Sequence, residues 1–131
     1  MRNVKVLMAD DEPDILRVMA RKVREAGYEV VTARDGQEAW ELIDEHQPDI
    51  ILLDLIMPRM DGYAFLEKLH KEKTKCPPVI IISAQGELKD IRKGFSLEAD
   101  HYITKPCQME DVLKGIRLMV KLIPQRKDSE D

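Results

Sequence analysis

Several things are scarce in this sequence, and each scarcity removes a class. There are only two cysteines, Cys76 and Cys107, far apart and in no CxxC pair. A disulfide scaffold and a cysteine metal knuckle are both excluded, and two isolated thiols fit a reducing cytoplasm. Base is not in excess. The 21 Lys and Arg face 25 Asp and Glu, a formal net charge of -4, whereas a nucleic-acid module normally shows a basic face. No apolar run approaches the ~20 residues a bilayer span needs. The start, Met1 to Val6, lacks the apolar stretch of a signal peptide. These absences predict a cytoplasmic protein without membrane or direct nucleic-acid contact. His46, His70 and His101 show no metal-ligand spacing, so they are expected at the surface or its boundary. Trp40, the single tryptophan, is expected to pack.

What is present is a pattern. The 131 residues, 44% hydrophobic and 35% charged, suit one domain with one core. Short β-branched runs alternate with helical periodicity. Strands are expected at Val4 to Ala9, Tyr28 to Ala33, Asp49 to Asp54, Val79 to Ser83 and Asp100 to Thr104. Pro13 opens the first helix and Gly27 ends it. Asp35-Gly36 turns into a second helix that Pro48 breaks. Gly62 starts a third. Leu88, Ile91 and Phe95 mark a fourth. Met109, Val112, Leu113, Ile116, Val120 and Ile123 form the stripe of the last. Ile50 to Leu53 and Val79 to Ile82 are continuously apolar, as strands buried on both faces are. Strand–helix alternation predicts an α/β fold, a doubly wound parallel sheet with helices on both sides. The domain is expected over residues 1–123, followed by a polar tail or linker start at 124–131.

In such a sheet, ligands bind beyond the carboxyl ends of the strands. Asp10, Asp11 and Glu12 follow the first strand. Asp54 ends the third, Ser83 ends the fourth, and Lys105 follows the fifth. Each has an ordinary reading alone: Asp11 or Glu12 as a helix cap, Asp54 as a turn residue, Ser83 as a hydroxyl bonded to nearby backbone, Lys105 as a surface lysine. Together they are harder to dismiss. Two carboxylates at ~4 Å repel by about 4 kcal/mol at an effective dielectric of 20, so the cluster calls for a cation. Carboxylate oxygens with room for water suit Mg²⁺. A lysine and a hydroxyl suit phosphoryl oxygens. A carboxylate can itself be the nucleophile that forms an aspartyl-phosphate.

Four stretches carry a resemblance: Ala9-Asp10-Asp11-Glu12, Asp54 to Gly62, Ile82-Ser83-Ala84, and Tyr102-Ile103-Thr104-Lys105-Pro106. With them the sequence resembles the receiver domains of bacterial two-component response regulators. The resemblance implies a flavodoxin-like (βα)5 fold with strand order 2-1-3-4-5, an order carried over from the family. It implies Asp54 as phosphoacceptor, with Ser83 and Lys105 as the phosphoryl-sensing pair. Asp11, Asp54 and the Ile56 carbonyl are implied as direct Mg²⁺ ligands, with Asp10 nearby. Tyr102 is implied as an aromatic switch, and the Lys105–Pro106 bond as often cis. The implied partners are a sensor histidine kinase or phosphotransfer protein and a downstream protein target. Separately, Leu118 and Leu122 fall off the core stripe of the last helix beside Lys114 and Lys121. They are expected either to be ordinary exposed leucines or to anchor a partner or a second copy in a phosphorylation-dependent homodimer.

Two positions depart from the family: Glu98 replaces a glycine before the fifth strand, and Cys107 follows Pro106 where an aromatic is common. Other readings compete. An aspartate-nucleophile phosphatase would carry a second aspartate where Ile56 stands. A degenerate receiver would have lost part of the set Asp10, Asp11, Asp54, Ser83 and Lys105. A flavin-binding domain would need a Ser/Thr/Gly-rich phosphate loop at a strand end. The receiver is expected to act as a switch, catalysing only its own phosphorylation and slow dephosphorylation.

Overall fold

The computed structural model describes residues 3–54, 62–72, 77–84, 99–121 and 123, with only the backbone of Tyr63, Ser83 and Ala84. The strands are β1 (Lys5–Ala9), β2 (Glu29–Ala33), β3 (Ile50–Asp54), β4 (Val79–Ala84) and β5 (His101–Lys105). They form one five-stranded sheet in the order β2-β1-β3-β4-β5, parallel throughout. The helices are α1 (Pro13–Glu25), α2 (Gly36–His46), α3 (Gly62–Glu72) and a last helix over Met109–Val120. The expected fourth helix, with Glu98, lies outside the described residues, as does the tail at 124–131.

The continuous apolar runs are explained by a core on each face of the sheet. Val6, Met8, Ile50, Leu52, Ile80, Ile82 and Ile103 point to one face, under α1 and the last helix. Leu7, Ala9, Ile51, Leu53, Val79 and Ile81 point to the other, where Ala39, Ile43, Phe65, Leu66 and Leu69 of α2 and α3 cover them. Each Val, Leu, Ile, Met or Phe among them, fully buried, contributes about 1.5–3 kcal/mol relative to exposure. Trp40 packs as expected, edge-on to Phe65 with centroids 6.1 Å apart and Lys68 Nζ 4.6 Å from its ring centroid.

Local chemistry sets the helix ends. Pro13 sits in the first turn of α1, where no N–H is needed, and Gly27 takes φ 102 just after the helix. Asp35 Oδ1 accepts from the Glu38 backbone N–H at 2.8 Å, capping α2. Gln47 ends α2 in the left-handed conformation, φ 49, before Pro48.

The starts of β3 and β5 differ from expectation for one shared reason. Asp49 and Asp100, expected inside strands, lie just before β3 and β5. Asp49 N–H donates to Lys5 O at 2.8 Å, and its Oδ2 accepts from Lys5 N–H at 2.9 Å. Asp100 does the same to Val79, at 3.0 and 2.8 Å. Each aspartate clips the first residue of the neighbouring strand with backbone and side chain together. Lys105 correspondingly becomes the last residue of β5 instead of following it. In the last helix the fully buried residues are Val112, Gly115, Ile116 and Met119. Met109, Leu113 and Val120 are only partly buried against that core, so the buried stripe runs through Met119. Gly115 is buried because the His101 ring lies against it: a Cβ there would come within 3.1 Å of the imidazole.

The clips predict a graded stability effect. Asp49 is 7% exposed, and Asp49→Ala would leave the Lys5 N–H without its carboxylate, costing about 1–3 kcal/mol. Asp100 is exposed, so Asp100→Ala should cost less. Denaturant unfolding midpoints of the two variants check the order.

Candidate functional site

The parallel register puts the carboxyl ends of β1, β3, β4 and β5 on one edge. Ala9 pairs with Leu53, Asp54 with Ile82, Ser83 with Thr104, and Ala84 with Lys105. The residues that end or follow those strands therefore meet there.

Lys105 is the hub. Its ammonium donates to Asp10 Oδ2 at 3.2 Å and to Asp54 Oδ2 at 3.2 Å. Both carboxylates are buried, Asp10 at 5% and Asp54 at 8% exposure, so the shared cation offsets a repulsion that water cannot screen well. Asp10 is held on two further sides. Its N–H donates to Ala33 O at 3.1 Å, and its Oδ1 accepts from the Glu12 N–H at 2.9 Å. Glu12, at the N-cap of α1, makes no side-chain cap bond, and the Asp10 carboxylate holds the Glu12 N–H just before the helix. Carboxylate oxygens of Asp10, Asp11 and Glu12 lie within 4.8 Å of one another, with Asp11 and Glu12 exposed. Glu12 is the addition to the expected set, and its place directly after Asp10 and Asp11 was the available signal. An all-oxygen group that is half buried and half open to water fits a hard cation that keeps part of its hydration.

Burial pulls the Lys105 ammonium pKa down, but the Asp54 and Asp10 carboxylates outweigh it and leave it raised. The lysine is therefore charged at neutral pH. Tyr102 precedes it in β5, and burial pushes its phenol up to about 12. Burial, then Asp111, also raises the Cys107 thiol against a smaller opposing effect of Lys105, which disfavours a reactive thiolate. The Lys105–Pro106 peptide is cis, as the resemblance implied.

The tyrosine shift predicts a titration. A phenol whose pKa is raised on folding supports the fold fully below its ordinary value near 10, and that support is lost as pH rises through about 12. A late tyrosinate absorbance step near 12 should be present in the native protein and absent from Tyr102→Phe.

Of the expected site residues, Asp10, Asp54 and Lys105 are brought into direct contact, and Asp11 stands beside Asp10. Ser83 lies in β4 opposite Thr104, but its side chain is outside the described residues. Ile56 is outside them too. One feature had no periodic signature in the sequence. An open groove of about 790 Å³ runs between α1 and the last helix, walled by Ile15, Val18, Pro106, Cys107 and Met109, and Lys105 reaches its rim.

A parallel sheet whose edge holds two buried aspartates on one lysine, beside further acids, is the arrangement that the resemblance to receiver domains implied. The model of the response regulator receiver domain family matches residues 6–117, and the chain belongs to that family. Among its relatives, the DNA-binding dual master transcriptional regulator RpaA of Synechocystis is 36% identical over 118 residues, 89% of this chain and 49% of that protein. The alkaline phosphatase synthesis transcriptional regulatory protein PhoP of Bacillus subtilis is 33% identical, covering 91% of this chain and 49% of PhoP. The chain spans about half the length of these curated relatives. Among solved structures, a Francisella response regulator receiver domain matches with TM-score 0.84 at 34% identity, over 91% of this chain and 98% of that one. The chemotaxis response regulator CheY4 of Vibrio cholerae matches with TM-score 0.82 at 28% identity, over 90% and 99%. No helix among the described residues is long and apolar enough to cross a membrane.

Proposed function

We propose that Asp54 accepts a phosphoryl group from a phosphohistidine of a sensor histidine kinase or phosphotransfer protein, and that the acyl phosphate changes which protein the chain binds. The observation that carries this reading is Lys105 Nζ, 3.2 Å from both Asp10 and Asp54. The ammonium fixes one oxygen of Asp54 and stands where charge would build on the transferred group. A carboxylate oxygen of Asp54 forms the new P–O bond as the P–N bond to imidazole breaks, and the imidazole nitrogen keeps the bonding pair. Lys105 neutralises a phosphoryl oxygen in a loose transition state. Ser83, at the end of β4, would donate to another.

Mg²⁺ fits the oxygen donors present; Asp10, Asp11 and Asp54, with the Ile56 carbonyl, would hold it, and it would supply positive charge to the phosphoryl oxygens. The chain turns over no other substrate in this reading. It works in the cytoplasm, its own contacts are with proteins, and Leu118, 41% exposed on the last helix, is one contact available to a second copy.

A protein donor must dock where its histidine reaches Asp54. The groove that Lys105 borders supports such an approach, since Lys105 Nζ is 3.2 Å from Asp54, and its wall residues Ile15 and Val18 are 39% and 54% exposed. Exposed substitutions there change stability by only about 0.5 kcal/mol. The expected result for Ile15→Lys with Val18→Lys is transfer from a phosphohistidine protein slowed at least ~10-fold, about 1.4 kcal/mol. Labelling by phosphoramidate should stay within about twofold, because a small donor needs no groove. Equal slowing with both donors would place the effect in the site and not in docking.

A further inference from the structure

Between α1 and the edge strand β2 lies a second cleft, of about 310 Å³, that the phosphoryl site does not use. Its apolar floor includes Leu16 and Ala20, 5% and 2% exposed. Its rim carries Arg17, Arg24 and Arg34 with the Thr32 hydroxyl, and Glu38 is the carboxylate that lines it. Glu38 already accepts from the Arg34 backbone N–H at 3.1 Å. Arg17 is engaged by Asp14 at 2.7 Å. Arg24 is aimed by a bond from Nη2 to Val30 O at 3.3 Å, on the edge strand itself. Among the described residues no carboxylate is ion-paired with the guanidinium of Arg24 or Arg34. The chain as a whole is net acidic, -4, so this concentration of cation runs against the average surface.

We propose that this cleft is a binding site for a small phosphomonoester, its phosphate held by Arg24, Arg34 and Thr32 and its apolar body on Leu16 and Ala20. Two guanidinium groups match a dianion better than a carboxylate, and their planar forks suit phosphate oxygens. The cleft volume lies at the small end of the roughly 300–1,000 Å³ typical of ligand sites, which excludes a large ligand. The site is separate from Asp54, because β1 stands between β2 and β3 in the sheet. It is nonetheless connected: Ala33, between Thr32 and Arg34, accepts the Asp10 N–H at 3.1 Å.

The test is an amide chemical-shift titration of the whole chain with phenyl phosphate, at constant ionic strength and without Mg²⁺. The expected result is a saturable shift centred on the amides of Arg24, Thr32 and Arg34. Binding should weaken at least about tenfold in an Arg24→Gln, Arg34→Gln double variant, about the loss of one charged hydrogen-bonded contact. Thr32→Val, which suits a strand, should weaken it without disturbing the fold, and Arg21→Gln, outside the cleft, should not change it. Benzoate, with one charge, should bind more weakly. Shifts that never plateau, shifts centred on Asp54 and Lys105, equal affinity in the double variant, or benzoate binding as tightly would each overturn the assignment.

Discussion

Asp54→Asn is expected to abolish acid-labile labelling, lowering it at least ~100-fold with either a protein or a small phosphodonor, or about 2.7 kcal/mol of transition-state stabilisation. The replacement is nearly isosteric. Its carbonyl oxygen can still accept from Lys105, so the site keeps its shape, yet an amide is no nucleophile. The loss is therefore chemical and not structural, and an unchanged denaturation midpoint or a higher one shows that. A higher midpoint is physically reasonable, because the substitution removes one of two buried carboxylates that share a single cation. Phosphate gel shifts with phosphoramidate and Mg²⁺ measure the labelling directly.

Lys105→Met is expected to be the most damaging change to the stability of the site. It leaves Asp10 and Asp54 buried and adjacent with no ammonium between them. Removing one partner of a buried pair costs about 3–5 kcal/mol. The lysine side chain is 23% exposed, so screening reduces this to about 2–3 kcal/mol. The pH dependence follows from the sign of the shift. The folded-state pKa is raised above the ordinary 10.5, so the lysine's contribution is complete below 10.5 and is lost as pH rises through the folded value. The gap in unfolding free energy between wild type and Lys105→Met should be flat from about pH 7 to 10 and should close at higher pH. Denaturant unfolding at a series of pH values checks it. Labelling should also fall steeply, because the cation that offsets charge on the moving phosphoryl group is gone.

The fold was legible because its strands carry an unusual pattern. Ile50 to Leu53 and Val79 to Ile82 bury every side chain, which no amphipathic strand does, and they fill both cores as expected. The strand order was not derivable from periodicity and came from the family resemblance. The starts of β3 and β5 were misjudged by one residue, since Asp49 and Asp100 act through bonds to Lys5 and Val79, far away in sequence. The stripe of the last helix was right at Val112, Ile116 and Ile123, with Met109, Leu113 and Val120 packed beside them, but it missed Gly115 and Met119. Gly115 has no side chain to mark its face, and it is covered by the His101 ring and the Ile103 side chain of β5. At the site, Asp10, Asp54 and Lys105 were readable because each sits at a strand's carboxyl end. For Asp11 or Glu12 a helix cap was weighed against a place in the acid cluster, as adjacency alone does not separate a cap from a cation ligand. The two clefts flanking α1 were invisible because each is shared by segments distant in sequence.

The central claim is that Asp54 carries the phosphoryl group. Borohydride converts an aspartyl-phosphate to homoserine, so tandem mass spectrometry of the chain after phosphoramidate, Mg²⁺ and reduction reads the position outright. Homoserine is expected at residue 54, dependent on both phosphodonor and Mg²⁺. Homoserine at another aspartate, or an acid-stable phosphate on a serine or threonine with residue 54 unmodified, would contradict it.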